Sequence, residues 1–289
     1  MNEHEFLLQD RLQKIKDTVE QYGEDRFYIS FSGGKDSTVM SSLFDMAIPG
    51  NTIPRIFADT GIEMNHIRDF VRQKAEQDDR VVMIRPSIPI TTMLQEKGYP
   101  FKSKQHSHVV GIYQRHGMNS KTVQKYLYSD SRYTCPKVLR YQFTSEFNMK
   151  LSHDCCNELK KKPIKKWAKE NKKNCVALGL RAREGGNREN VHCVAIRGRQ
   201  VTFNPLVMCT DEWMEWVIST YHIEICDLYK PPYNFHRTGC KGCPFAIDLQ
   251  HNLDALGKYF PAERNQCELI WKPVYDEYRR LHYRLKDRE

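Results

Sequence analysis

Two groups of residues have the types and spacing to do chemistry. The first is Ser30-Phe31-Ser32-Gly33-Gly34-Lys35-Asp36-Ser37, placed between an apolar run and a stretch of helical composition. Two adjacent glycines allow a tight turn and a close approach of backbone to ligand. A helix starting there aims its free N–H groups and the positive end of its dipole at an anion. Ser32 and Ser37 add hydroxyl donors and Lys35 a mobile positive charge, so the chemistry indicated is phosphate binding. The GxxxxGK[ST] spacing of the Walker loop is absent. The second group is a tandem pair, Cys155-Cys156, and a distant C-x-x-C, Cys240-Lys241-Gly242-Cys243. Four such thiols suit zinc or an iron–sulfur cluster. Zinc usually takes two C-x-x-C hairpins, so the tandem pair favours the cluster.

Smaller signals lie between and beyond these groups. Asp59-Thr60-Gly61 ends the next strand-like run, at the carboxyl end where open α/β sheets collect ligands. Gly179-Leu180-Arg181-Ala182-Arg183-Glu184, with Arg188 downstream, offers arginines for bidentate contact with phosphate or sulfate. Cys135, Cys175, Cys193, Cys209 and Cys226 are isolated and most read as small apolar core residues; Cys135, before Pro136 in a less regular stretch, is left open. Cys267 sits among Leu269, Ile270, Val274 and Tyr278 at helical spacing, where burial would make it a poor nucleophile. His106 and His108 read as a solvent-facing loop pair. Eight lysines between Lys160 and Lys173 read either as a solvated helix face opposite Ile164, Trp167 and Ala168 or as a track for a nucleic-acid backbone.

Taken in order, these segments resemble a known family. Ser32–Ser37 matches the SGGKDS signature of the PP-loop ATP pyrophosphatases, which cleave ATP to AMP and pyrophosphate. The Asp59-Thr60-Gly61 and Gly179-x-Arg181 segments resemble those of the phosphoadenosine-phosphosulfate reductase family. The CC…C-x-x-C pattern, with Lys160 and Pro163 after the pair and Tyr229, Tyr233 and Gly239 before the C-x-x-C, is similar to the [4Fe–4S] ligand set of iron–sulfur adenylylsulfate reductases. The resemblance runs from about residue 25 to 250. It implies a parallel-sheet, Rossmann-like PP-loop domain with a C-terminal, mostly helical cluster-binding extension. It also implies nucleotide binding by Ser30, Ser32, Gly33, Gly34, Lys35, Asp36, Ser37, Asp59, Thr60, Gly61, Gly179 and Arg181. Lys35, Asp36, Asp59 and Arg181 are the implied catalytic set, and Cys155, Cys156, Cys240 and Cys243 the implied ligands of a [4Fe–4S] cluster. ATP with Mg²⁺ is the expected nucleotide.

The family's reductases use a cysteine in a C-terminal Glu-Cys-Gly-Leu-His motif. Here Asn265-Gln266-Cys267-Glu268-Leu269 lacks the glycine and histidine, while the phosphate loop keeps Lys35, as a pyrophosphate leaving group requires. The favoured reading is therefore an enzyme that cleaves ATP to activate an acceptor in sulfur-related chemistry. A thiol-dependent adenylylsulfate or phosphoadenylylsulfate reductase using Cys267 is the second reading, and a nucleotide-switched nucleic-acid-binding subunit the third.

The elements that must position these groups follow from hydrophobic pattern. Short apolar runs at Arg26–Phe31, Arg55–Ala58, Arg80–Ile84 and Asn174–Leu180 alternate with helical stretches at 5–22, 36–46 and about 64–76. That alternation predicts an α/β fold around a buried parallel sheet. Residues 85–150 fit it poorly and read as an insertion, with a loop over Gly98–His108. From about 205 the pattern changes to short helices and loops, then a helix from about Glu263 that Pro273 kinks or breaks. The expected division is an N-terminal helix at 1–24, a nucleotide-binding domain at 25–204, and a helical region at 205–289 carrying the C-x-x-C. A formal charge of +9 favours an anionic partner. Adenine nucleotide is the expected one, with nucleic acid, a second copy or partner subunits left open and no membrane. Ten cysteines without a secretory h-region at MNEHEFLLQD predict thiols or ligands in the cytosol.

Overall fold

The computed structural model describes residues 2–129, 131, 133–185 and 188–286, and the chain divides into two compact units. Residues 1–59, 65–85 and 162–238 form the first unit; residues 60–64, 86–161 and 239–289 form the second.

The first unit is built on a six-stranded sheet. Its strands are β1 (Phe27–Ser30), β2 (Arg55–Ala58), β3 (Val81–Ile84), β4 (Cys175–Ala177), β5 (Val194–Arg197) and β6 (Gln200–Phe203), in the order β3-β2-β1-β4-β6-β5. All neighbours are parallel except the β5–β6 pair. The helices are α1 (Glu3–Tyr22), α2 (Lys35–Ala47), α3 (Asn65–Gln77), α7 (Lys162–Glu170) and α8 (Asp211–Thr220). A capping box fixes the start of α1: Asn2 accepts from the Glu5 amide, and Glu5 reaches back to the Asn2 amide. One core joins Leu8, Ile15 and Val19 of α1 to Val39, Met40, Leu43 and Phe44 of α2, Trp213, Met214 and Val217 of α8, and Phe27, Ile29 and Phe203 of the sheet. A second cluster packs Ile164, Trp167 and Ala168 of α7 with Tyr28, Ile56 and Val176. Each such fully buried side chain contributes about 1.5–3 kcal/mol.

This is the expected α/β fold with a mostly parallel sheet. The β5–β6 hairpin, whose register pairs Arg197 with Gln200, is an addition the four-strand expectation lacks. Its outer strand β5 is half exposed and carries Arg197, so it has no continuous apolar run to announce it.

The second unit is helical: α4 (Ile90–Lys97), α5 (Lys104–His116), α6 (Lys121–Tyr128), α9 (Leu249–Tyr259), α10 (Pro261–Ile270) and α11 (Lys272–Arg280). Two expectations change here. Gly98–His108 is not one loop, because Ser103 accepts from the His106 amide and starts α5. His106 is then fully buried, bonded to Tyr126 at 3.0 Å and Gln142 at 2.7 Å; only His108 faces solvent. The C-terminal helix breaks as expected: α10 stops at Ile270 and α11 starts with Pro273 in its first turn. Among the described residues, no helix is long and apolar enough to cross a membrane.

Candidate functional site

Ser30 closes β1, and the chain turns through Ser32, Gly33 and Gly34 into α2. Gly33 has φ +69°, and a Cβ there would lie 2.6 Å from Val71 and 3.0 Å from Ile67, both on α3. Only glycine fits this turn. Gly34 occupies the N-cap position with no side-chain capping bond, and Lys35 is the first residue of the helix. The loop is tied by its own hydroxyls. Ser37 Oγ accepts from the Ser32 amide (3.1 Å), shares a bond with Ser32 Oγ (2.9 Å) and donates to the Gly34 carbonyl (2.9 Å). The Lys35 amide meets the Tyr229 hydroxyl, which is also bonded to Thr238.

Gly179 follows β4 and lets the next segment approach: a Cβ there would sit 3.2 Å from the Asp36 backbone carbonyl. Arg181 is thereby delivered to the loop. It is 7% exposed, with Nε 3.2 Å from Asp36 Oδ1 and Nη1 2.7 Å from Asp211 Oδ1. The Arg181 bond, helped by the charges of Lys35 and Arg183, holds the Asp211 carboxyl below its usual range. The Glu184 side chain lies outside the described residues.

Asp59 follows β2, is buried and pairs with Arg85 at 3.5 Å. Thr60 and Gly61 are assigned to the second unit, so the Asp-Thr-Gly segment spans the division. The Thr60 amide (2.9 Å) and hydroxyl (2.7 Å) both donate to Glu63, and Gly61 is exposed at φ +80°.

In the second unit, Cys155 and Cys156 lead into a π-helical turn at Asn157–Lys161. Cys240 bridges Glu63 in antiparallel fashion, and the Lys241 amide donates to the Ile62 carbonyl at 2.7 Å. The four thiols act on one another electrostatically, and none forms a disulfide. Burial first, then the neighbouring thiols, pushes Cys155 up and Cys243 up to about 12. Lys160 pairs with Glu63 at 3.0 Å; burial opposes its charge, but Cys240 and Glu63 outweigh it and raise its pKa. Among the described residues, no three His, Cys, Asp or Glu side chains converge closely enough to ligate a single metal ion. Cys267 lies apart from this set in role: it is fully buried on α10, and burial pushes its thiol up to about 12. Of the isolated cysteines, Cys135, Cys175, Cys209 and Cys226 are buried and Cys193 is half-buried.

Residues 26–120 and 118–246 match the phosphoadenosine phosphosulfate reductase domain, well over half of the chain. The chain belongs to that family. An uncharacterized protein of Methanocaldococcus jannaschii is 24% identical over 267 residues, 84% of this chain and 51% of the relative. The chain therefore spans about half the length of this curated relative. Phosphoadenylyl-sulfate reductase from Candida auris, solved as a phosphate complex, aligns at a TM-score of 0.43 and 14% identity over 74% of this chain and 81% of that one. U34-tRNA thiolase of Methanococcus maripaludis, solved with its [4Fe-4S] cluster, aligns at 0.38 and 14% identity over 97% and 80%.

Two residues at the family's loop, Asp211 and Thr238, are additions to the sequence expectation, and Tyr229 takes a place there that the sequence did not give it. Asp211 holds Arg181 from the first turn of α8, where Thr210 caps by accepting from the Trp213 amide at 3.1 Å. Thr210-Asp211-Glu212 before an apolar helix is a helix-start signal, so its position was readable but its pairing was not. Tyr229, expected only through the resemblance ahead of the C-x-x-C, and Thr238 meet the loop from about 200 residues downstream, a contact nothing local marks. On α7, Lys162, Lys165, Lys166 and Lys169 are exposed opposite the packed Trp167 face, an arrangement common to a solvated helix face and to a nucleic-acid track.

Proposed function

We propose that this family member binds ATP through Ser32–Ser37 and cleaves it to AMP and pyrophosphate to activate an acceptor in sulfur-related chemistry. The observation that carries the reading is the intact loop at the start of α2, with Gly33 in a turn only glycine fits, no side-chain cap, and Lys35 at the first helical position. An acceptor oxygen attacks the α-phosphorus. The bond to the bridging oxygen breaks, and pyrophosphate leaves with the electron pair. Loop amides and Lys35 neutralise the charge that grows on the leaving group. Arg181, held by Asp36 and Asp211 beside the loop, would donate to phosphate oxygens. Asp36 and Asp59 are hard oxygen donors that suit Mg²⁺, which would neutralise further phosphate charge.

The second half of the reading concerns the thiols. A tandem Cys-Cys pair with a distant C-x-x-C suits the thiolate ligand set of an iron–sulfur cluster better than the paired hairpins usual for zinc. Cys155, Cys156, Cys240 and Cys243 would hold it, and it would serve sulfur transfer or structure. Cys267 supports the ATP-using reading over a reductase, since a fully buried thiol pushed up to about 12 is poorly suited to attack a substrate sulfur.

Anaerobically purified, cluster-reconstituted protein given ATP·Mg²⁺ or adenylylsulfate tests the choice. Pyrophosphate release that is lost in Lys35→Ala and kept in Cys267→Ser is expected. Thiol-dependent sulfite release abolished by Cys267→Ser would overturn the reading.

A further inference from the structure

The C-x-x-C loop is short, yet four carbonyls in and just after it, those of Lys241, Gly242, Pro244 and Ala246, accept from side chains of Trp271 between α10 and α11, of α11, and of Arg284 beyond it. Trp271 Nε1 donates to the Lys241 carbonyl at 3.1 Å, Tyr275 Oη to the Gly242 carbonyl, and Tyr278 Oη to the Pro244 carbonyl at 2.9 Å. Arg284 Nη1 donates to the Pro244 and Ala246 carbonyls at 2.7 and 3.1 Å. The Lys241 side chain is itself buried and pairs with Glu263 of α10 at 3.1 Å. Trp271, Tyr275 and Tyr278 are each at most 1% exposed. Gly242 has φ +61°, and a Cβ there would strike the Tyr275 hydroxyl and come within 2.8 Å of Cys267. The family match stops at residue 246, so every one of these donors lies beyond it.

We propose that α10 and α11 are a clamp that fixes the Cys240–Cys243 loop in its ligand-competent shape, with Trp271, Tyr275 and Tyr278 as positioning residues. The inference rests on the reading of the four cysteines as a metal centre. The physical reason is preorganisation. A free C-x-x-C loop samples many backbone states, and selecting one on binding lowers affinity. Buried hydroxyl and indole donors remove that freedom beforehand; deleting the Trp271 or Tyr275 donor takes away the side-chain partner of the Lys241 or Gly242 carbonyl, whereas the Pro244 carbonyl would keep Arg284 after loss of the Tyr278 hydroxyl. Aromatic donors suit this role because their rings are held by packing while the polar tip reaches the loop.

The test compares Tyr275→Phe with Tyr126→Phe, which deletes a buried hydroxyl elsewhere in the same unit, on His106. Iron and sulfide per chain are measured after anaerobic reconstitution, then the rate of iron loss to a chelator. Hydrogen exchange at residues 240–246 is followed in the metal-free protein. Both variants should lower the melting temperature by a similar few degrees. Tyr275→Phe alone should lose iron about tenfold faster, the usual size of an outer-shell effect, and exchange the loop amides faster before any metal is added. Equal iron loss in both variants and wild type, with unchanged loop exchange, overturns the clamp. If wild-type protein takes up zinc and no iron or sulfide, the cluster reading fails, and the same comparison of zinc loss decides the clamp. Uptake of neither metal overturns both.

Discussion

The phosphate loop and the C-x-x-C loop are both short turns around a positive-φ glycine that neighbours would not let become alanine, and they are held in opposite ways. Ser32–Ser37 is tied mostly by its own hydroxyls, with bonds that span at most five residues. Cys240–Cys243 makes its own turn but hangs from side chains about 30 residues downstream. The first is a local device, in which the residues of the turn are also those that shape it. The second is an assembled device, whose shape depends on α10 and α11 docking correctly. Loops of the first kind carry their specification within a motif; loops of the second kind do not.

The sharpest way to break this comparison is a pair of glycine substitutions. Gly33→Ala forces a side chain into positive φ against Val71, costing about 3 kcal/mol, and should abolish nucleotide binding while metal content persists. Gly242→Ala should do the reverse, eliminating metal uptake while nucleotide titration is preserved. If either variant loses both ligands together, the two loops are not separate devices.

Acid should separate the two units next. Burial holds His106 down at about 4, with Lys102 and Arg284 adding repulsion and Gln142 opposing it; Tyr126 faces its other ring nitrogen. The unfolded chain takes up this proton below its ordinary value of 6.5, but the folded one does so only near 4. Stability from this group is thus intact above pH 6.5 and falls as the pH drops toward 4, by about 3 kcal/mol in all. Hydrogen exchange across 104–116 should accelerate over that range before exchange in β1 and β2 does, and His106→Gln should flatten the difference. Simultaneous acceleration in both would argue against it.

A smaller effect is expected at Arg181. Arg181→Lys keeps the charge but loses the fork that reaches Asp36 and Asp211 together, and pyrophosphate release should fall about tenfold. Asp211→Asn should fall less, since Asp36 still orients the guanidinium. The smallest expected change is Lys166→Ala on α7. It pairs with Glu170 at 4.0 Å on an exposed face, and the unfolding free energy should change by less than about 0.5 kcal/mol.

Much of the first unit was legible because its signals are local. Four strands and three helices appear as apolar runs and helical periodicity, and the expected α2 at 36–46 differs from Lys35–Ala47 by one residue at each end. The β5–β6 hairpin was missed because its outer strand is half exposed. In the second unit, α5 was hidden by His and Lys residues whose helical face is apolar only once His106 is buried neutral. The candidate site divides the same way. Ser32–Ser37 and the four cysteines are readable from type and spacing, whereas Asp211, Thr238 and Tyr275 are ordinary residues until folding brings them to a loop, and Tyr229, legible only as a neighbour of the C-x-x-C, meets the other loop.

By itself the sequence determined the α/β class, the glycine turn before α2 and the presence of four thiols that suit a metal, because each depends on neighbours within a few residues. Only the tertiary structure decided that Arg181 is shared by Asp36 and Asp211, that Cys267 is sealed behind Gly242, and that aromatic donors of α11 hold the C-x-x-C backbone. Those pairings join residues tens to more than a hundred positions apart, and no local preference of the chain encodes a contact that packing alone creates.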